Sequence, residues 1–155
     1  MKTSGLRGAL AIFDERLTRG VYARRGRPFP RIVVAKLRAD RGFACLFSAL
    51  WLHGLIPEET PEAWICIHHK GWKPGAGLTP STQFVRTSRW PHAEDLRSLG
   101  PWGVPSTGLA RTVVDFFRYQ SRVGLPAANR ALELVLASGR CTLVEINACA
   151  DRYAL

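Results

Sequence analysis

Phosphodiester cleavage is the first chemistry to test against this chain, because its arginine content suits a nucleic-acid partner. Metal-dependent cleavage needs carboxylates that hold the ion and, in one common pattern, a lysine two positions after a glutamate. None of the seven glutamates is followed by a lysine at that spacing. The sequence therefore predicts no catalytic residue and no enzyme. A small nucleic-acid-processing enzyme with a nuclease-like core stays the alternative, and Glu62, Glu94 and Asp115 are the carboxylates whose replacement would test it.

Histidine and cysteine side chains give no clear metal or nucleophile pattern. His68 and His69 are adjacent, so on a strand they point to opposite faces and do not share one ion. The cysteines have no C-x-x-C spacing and lie in apolar stretches, which predicts reduced core thiols and no zinc site. They are Cys45, Cys66, Cys141 and Cys149. A Cys-His nucleophile on Cys45 or Cys66 stays open on residue type alone. We expect neither metal nor cofactor.

Positive charge is concentrated in the first quarter of the chain. The net charge is +10, and Met1 to Asp40 holds ten basic and three acidic residues. A basic segment beside a nearly balanced remainder is typical of a surface that meets polyphosphate. Arg19, Arg24, Arg25 and Arg27 surround a glycine-bounded strand and are the predicted nucleic-acid contacts, since a β-wing presents charge to DNA phosphates in this way. The alternative is a solvated basic face that serves solubility.

The elements that would carry these arginines precede a proline-rich boundary. Apolar spacing predicts an amphipathic helix over Leu6 to Leu17, and alternation predicts a strand of a hairpin or wing within Thr18 to Gly26. The prolines of Arg27-Pro28-Phe29-Pro30 continue neither element. We therefore expect an N-terminal region at 1–30 and a main domain at 31–155.

The main domain is predicted to be α+β, with a small sheet followed by three helices. The sequence of Arg31 to Leu37 fits either a strand or a helix, and we prefer the helix. Phe43 to Leu55 has the apolar spacing of a buried helix that ends at Gly54. Ala63 to His68 is predicted as a strand covered on both faces, and Gln83 to Thr87 as the next strand. Gly71 to Ser81 is predicted to be irregular.

Three start and stop signals define the C-terminal helices. Ser106 and Thr107 are predicted to cap a helix that ends near Gly124. Pro126 suits the first turn of the next helix, which Gly139 ends, and Thr142 with Glu145 three residues later is a capping box for the last. These positions are read directly from the sequence.

No apolar run approaches the roughly 20 residues that cross a bilayer. The apolar patch after the basic N-terminus is followed by Asp14 and Glu15, where an export signal requires small residues. Together with the cysteine pattern, this predicts a cytoplasmic protein without a membrane partner.

Several segments taken in order resemble the AbiEi antitoxin family of type IV toxin-antitoxin systems. They are TRGVYARRGRPFP, FACLFSALWLHGLIPEETPEAWICI, HKGWKP and GLARTVVDFFRYQSRVGLPAANRAL. The resemblance covers the chain from about Thr18 to its C-terminus. The pieces most typical of the family are Gly20-Val21-Tyr22, the helix around Leu52-His53-Gly54-Leu55, and Ala110 to Asp115.

This resemblance implies a transcriptional regulator that binds operator DNA through an N-terminal winged helix-turn-helix. It also implies an antitoxin that counters a nucleotidyltransferase-like toxin in phage defence without forming a stable complex with it. A complete winged helix-turn-helix places about three helices before its wing, whereas the residues before Thr18 provide at most one. We therefore expect a remnant of that region, with weak or impaired operator binding, in front of an AbiEi-like C-terminal domain.

Arg111, Thr112 and Asp115 match the family's helix motif. The role that we assign to them is structural, because the resemblance brings no catalytic residue. Arg111 and Asp115 are four residues apart, which predicts an ion pair on the helix surface worth about 0.3 kcal/mol.

Overall fold

A computed structural model describes residues 15–18, 21–23, 29–39, 41–71 and 81–153, and its fold is α+β as predicted. The strands are β1 (Glu15–Thr18), β2 (Val21–Ala23), β3 (Phe43–Ala44), β4 (Ala63–His68), β5 (Thr82–Thr87), β6 (Leu96–Leu99) and β7 (Val104–Thr107). The α-helices are α1 (Arg31–Arg38), α2 (Leu46–Leu52), α3 (Leu109–Arg118), α4 (Gln120–Val123), α5 (Leu125–Ala137) and α6 (Leu143–Arg152). A 3₁₀ turn, Ala93–Asp95, precedes β6.

Five of the strands form one mixed sheet in the order β5-β4-β3-β7-β6. The β4–β5 and β3–β7 pairs are parallel, whereas the β3–β4 and β6–β7 pairs are antiparallel. The two-residue strand β3 therefore joins two halves of the sheet, and a long connection carries the chain from β5 to the opposite edge.

Helices cover both faces of this sheet. The alternating residues of β4 belong to different hydrophobic clusters: Ile65 and Ile67 pack with Ile32 of α1, whereas Cys66 packs with Val113 of α3 and Val135 of α5. A strand buried on both faces was predicted for Ala63 to His68, and the structure confirms it. The helices α3, α5 and α6 form the thicker layer, where α3 contacts both of the others.

The first helix of the main domain forms as predicted, and a distant carboxylate caps it. Its N-cap is Pro30, which has no side-chain donor or acceptor. The Arg31 backbone N–H instead donates to Glu59 Oε1 at 2.5 Å, and the Ile32 N–H lies 3.5 Å from Glu59 Oε2. A carboxylate at a helix N-terminus satisfies orphan N–H groups and complements the helix dipole.

The single helix predicted over Phe43 to Leu55 is wrong at its start. Phe43 and Ala44 form β3, and α2 begins only at Leu46, whose φ of 48° is the left-handed turn from strand to helix. The spacing of apolar residues does not reveal β3, because this strand is held by pairing with β4 and β7, which are distant in the sequence. The predicted end is confirmed: Gly54 has a φ of 77°, and the Leu55 N–H donates to the Leu50 carbonyl.

The predicted cap of the next helix is also wrong. Ser106 and Thr107 belong to strand β7, and α3 starts at Leu109 with Gly108 as an N-cap that makes no side-chain hydrogen bond. The Thr107 hydroxyl is used elsewhere, since it lies 2.7 Å from the Thr112 hydroxyl. The short strands β6 and β7 were not predicted, because four residues give too little alternation to recognise.

Other signals in the last third are confirmed. Pro126 lies in the first turn of α5, Gly139 takes a φ of 69° just after that helix, and Thr142 and Glu145 form the reciprocal capping box of α6. The helix predicted to end near Gly124 is divided into α3 and the short α4. The helical run thus has four members instead of three.

In the N-terminal region, β1 and β2 pair antiparallel as a separate two-stranded hairpin. This confirms the predicted strand within Thr18 to Gly26. The helix predicted over Leu6 to Leu17 is wrong for its last residues, since β1 starts at Glu15, while 6–14 lie outside the described residues. Most of the predicted irregular stretch, 72–80, also lies outside them.

Among the described residues, no helix is both long and apolar enough to cross a bilayer.

Candidate functional site

The predicted nucleic-acid contacts are not described by the structure. Arg19, Arg24, Arg25 and Arg27 lie outside the described residues, although the backbone of the hairpin between and before them is described. Their role as DNA contacts stays a prediction. Among the described residues, one cluster of polar side chains lies where the first turn of α3, the 3₁₀ turn and the end of α6 meet.

Arg111 and Asp115 form a buried ion pair, so the predicted surface pair is wrong in its location. The Arg111 Nε donates to Asp115 Oδ1 at 2.8 Å, and the two side chains are 0% and 1% exposed. The Arg111 Nη2 donates to the Arg89 carbonyl at 2.8 Å, and its guanidinium lies 4.1 Å from the centre of the Tyr153 ring. The spacing of four residues predicted that the two side chains form a pair. It did not predict that the pair is buried, which follows from the packing of α6 on this face of α3.

The pair leaves two buried polar atoms without partners. Arg111 Nη1 and Asp115 Oδ2 have no hydrogen bond within the described part of the chain. Burial raises the pKa of the Asp115 carboxyl to about 6, although the Arg111 guanidinium acts in the opposite direction. An incompletely bonded charge pair in the core is costly to desolvate, so removal of either partner is expected to be severe.

Thr112 holds the start of α3 in place. Its hydroxyl donates to the Gly108 carbonyl at 2.8 Å and lies 2.7 Å from the Thr107 hydroxyl, and all three residues are buried. Arg111, Thr112 and Asp115 make their hydrogen bonds within the protein, with Arg111 Nη1 and Asp115 Oδ2 left without partners. The three motif residues therefore act together in positioning α3.

Asp95 is a second polar centre, and sequence reasoning missed it. It is 6% exposed, its Oδ1 accepts from Arg152 Nη2 at 2.7 Å, and its Oδ2 accepts from the Tyr153 hydroxyl. That hydroxyl also accepts from the His92 backbone N–H at 2.9 Å. These bonds join the 3₁₀ turn to the end of α6. No local pattern signals them, because the partners are more than 50 residues apart in the chain.

The described residues include one group of metal-ligand types, His92, Glu94 and Asp95, whose donor atoms lie within 4.8 Å of one another. Both Asp95 oxygens already accept hydrogen bonds, and Arg152 Nε lies 3.6 Å from Glu94 Oε1. A cation here would have to displace a guanidinium, so the group fits a metal poorly. Glu62 and Asp115, the other carboxylates of the nuclease alternative, do not belong to it.

The histidine pair and the cysteines contribute no reactive centre. His68 ends β4 and His69 follows it, and their rings lie 4.4 Å apart, so the prediction of opposite faces is wrong. All four cysteines are free and buried. Burial raises the pKa of Cys45 and Cys66 well above the ordinary thiol value, which keeps both in the weakly nucleophilic protonated form.

A cavity of about 590 Å³ opens at the N-terminus of α3. Its walls include Gly108, Leu109 and Ala110 from the start of the helix. The charged or titratable residues around it are His53, Glu94, Asp95, Arg97, Arg111, Arg140, Cys141, Glu145 and Arg152. Asp95 and Arg111 of the buried network thus contribute to the wall of this cavity, which makes it a candidate ligand site.

No protein-family model matches the chain, and no curated protein is similar to it. The resemblance from sequence motifs therefore stays an expectation.

Tyr153→Phe tests the Asp95 centre. The change keeps the ring on Arg111 but removes the hydroxyl that donates to Asp95, so it leaves a buried carboxylate oxygen unpaired. We expect a loss of about 1–3 kcal/mol in the free energy of unfolding by urea. Tyr119→Phe is the matched control, because its hydroxyl hydrogen-bonds the Arg86 carbonyl and Thr87, neither of which carries a charge. A smaller loss in Tyr153→Phe than in Tyr119→Phe would contradict this role.

His53 is expected to weaken folding in mild acid, whereas Asp115, whose pKa burial raises to about 6, acts in the opposite direction. Burial lowers the pKa of His53 from 6.5, and nearby Arg140 and Arg97 add to this, while its bond to the Thr107 carbonyl acts in the opposite direction. Below about pH 6.5 the unfolded chain takes up a proton that the folded chain resists, so folding weakens as pH falls. The free energy of unfolding by urea is measured at about pH 7.5 and at about pH 5.5. The decrease from the higher to the lower pH should be smaller for His53→Gln than for the wild type. Equal differences would exclude His53 as the cause.

Proposed function

We propose that this chain is a cytoplasmic, non-catalytic antitoxin and transcriptional regulator of the AbiEi type. It counters a nucleotidyltransferase-like toxin and contacts operator DNA through its basic N-terminal arm. One observation carries the proposal: the motif residues Arg111, Thr112 and Asp115 are all buried and bonded within the fold. Because these side chains stabilise the fold, we assign them no part in catalysis. This supports a protein that acts by binding and not by breaking bonds.

Charge supports the DNA-contacting half of the proposal. Most of the net positive charge lies in the first 40 residues, where β1 and β2 form a hairpin. A basic hairpin suits phosphate contacts, which give affinity and salt dependence without reading base sequence. The proposal therefore assigns the arm a supporting role in DNA affinity.

Restoration of growth in cells that express the toxin tests the antitoxin part of the proposal. The chain is co-expressed with a nucleotidyltransferase-like toxin, and growth is compared with cells that express the toxin alone. Restored growth, also without co-purification of the two proteins, is the expected result. Absence of rescue by a chain shown to be folded in the same cells would overturn this half.

Replacement of Arg19, Arg24, Arg25 and Arg27 by Gln tests the arm. Each phosphate contact contributes a slope of about −0.9 to log affinity against log salt concentration, so the variant should lose a slope of roughly 2–4. Fluorescence anisotropy with the duplex upstream of the gene and with a scrambled duplex measures it. Arg130→Gln, an exposed arginine on α5, is the control and should bind like the wild type. An unchanged slope in the fourfold variant would remove the arm from DNA binding.

A further inference from the structure

Two short segments of the main domain meet at one end of the sheet. Strands β4 and β5 are parallel and stay in register up to their last residues. The segments 69–71 and 88–90 that follow them therefore start side by side. Arg86 Nη1 ties β5 to the first segment, because it donates to the carbonyls of His69 and Gly71 at 3.0 and 2.9 Å. Together they form the strand-end surface, whose side chains are His68, His69, Lys70, Arg86, Arg89 and Trp90.

Positive charge on the strand-end surface is not balanced by carboxylates. Lys70, Arg86 and Arg89 are exposed, and none of them forms an ion pair within the part of the chain that the structure describes. No acidic residue lies between Glu62 and Glu94 in the sequence. Glu62 precedes β4 at the opposite end of that strand, and Glu94 faces the end of α6. The surface therefore favours an anionic partner.

An exposed tryptophan ring lies beside these charges. Trp90 is 37% exposed, and its ring centre lies 5.7 Å from that of His68. On another side the ring packs edge-on against the buried Phe43, with ring centres 5.1 Å apart. The ring of His69, an exposed residue, lies 4.4 Å from that of His68. Aromatic rings among cations are the groups on which unpaired nucleic-acid bases stack.

The buried Arg111 holds the segment that carries this ring. Its Nη2 donates to the Arg89 carbonyl at 2.8 Å, and the Arg89 N–H donates to the Thr87 hydroxyl at 3.0 Å. Pro91, directly after Trp90, restricts the backbone on the other side. The backbone that carries Trp90 is therefore fixed before a partner binds, which reduces the entropy cost of binding.

We propose that the strand-end surface binds single-stranded nucleic acid. The phosphates lie against Lys70, Arg86 and Arg89, and an unpaired base stacks on Trp90. Cations with an aromatic ring among them suit a single strand, whereas the bases of a duplex are stacked on one another and do not reach the ring. An acidic peptide would meet the same cations and leave the ring unused. Binding here depends neither on the basic N-terminal arm nor on an antitoxin role.

Two tryptophan substitutions test the stacking. Trp90→Ala removes the ring of the strand-end surface, whereas Trp102→Ala removes a ring that is 45% exposed in the turn between β6 and β7. Strand β6 lies at the opposite edge of the sheet from β5, so Trp102→Ala is the matched control. The melting temperature of each variant shows that it is folded.

Fluorescence anisotropy measures binding to deoxythymidine and uridine oligonucleotides of about 12 nucleotides and to a duplex of the same length. The wild type and Trp102→Ala should bind the single strands equally well. Trp90→Ala should lose affinity for them roughly tenfold, with a smaller loss for the duplex. Equal affinity of wild type and a folded Trp90→Ala, or no single-strand binding by the wild type, would overturn the proposal. Binding of poly-glutamate with no binding of either oligonucleotide would also overturn it.

A pair of charge variants gives a second measurement that does not depend on the ring. Lys70→Gln/Arg89→Gln removes two charges from the strand-end surface, and Arg97→Gln/Arg130→Gln removes two exposed charges elsewhere. The net charge falls equally in both. The first variant should lose a slope of about 1.4 in log affinity for the single strand against log salt concentration, while the second keeps the wild-type slope. Equal slopes in the two variants would contradict the proposal.

The arm variant separates this proposal from operator binding. With Arg19, Arg24, Arg25 and Arg27 replaced by Gln, affinity for the duplex should fall, while Trp90→Ala should still reduce affinity for the single strands roughly tenfold. Loss of the Trp90→Ala effect in that background would assign single-strand binding to the arm and overturn the proposal.

Discussion

The buried guanidinium of Arg111 is the interaction on which the helical layer depends. It meets Asp115 within α3, the Arg89 carbonyl in the segment after β5, and the Tyr153 ring at the end of α6. A charge with no exposure to water must find such partners, because its desolvation costs several kcal/mol. The three contacts fix where α6 and the segment after β5 lie relative to α3. Through Tyr153 the same contacts position Asp95, and so the wall of the cavity.

Two of the helix N-termini whose own N-cap side chain makes no hydrogen bond, those of α1 and α3, differ in their surroundings. Glu59 reaches α1 from a loop and satisfies its first N–H groups. At α3 no carboxylate takes that place, and Arg97 stands beside Gly108 instead. Of these two helices, α1 therefore has a carboxylate of the protein at its start and α3 does not.

Sequence reasoning succeeded where the signal is local. Strand β4 was predicted from the apolar residues on both of its faces, the end of α5 from Gly139, and the cap of α6 from Thr142 and Glu145. These depend on φ angles, on capping chemistry and on burial of both strand faces, all of which neighbouring residues determine.

Prediction failed where contacts are distant in sequence. Strand β3 has only two residues and is held by β4 and β7, so its apolar side chains were assigned to the following helix. Asp95 contacts Arg152 and Tyr153, which lie more than 50 residues away in the sequence. The residues next to Asp95 give no signal of these contacts. The spacing of Arg111 and Asp115 gave their pairing, but only tertiary packing decides that the pair is buried.

A double-mutant cycle on the buried pair tests the central claim most directly. Urea unfolding is measured for Arg111→Met, Asp115→Leu and the double variant. Each single change leaves an unpaired buried charge and should cost about 3–5 kcal/mol, while the double variant should lose less than the sum by about 2 kcal/mol or more. Losses that add to within about 0.5 kcal/mol would show that the two charges do not depend on each other, and would contradict the account.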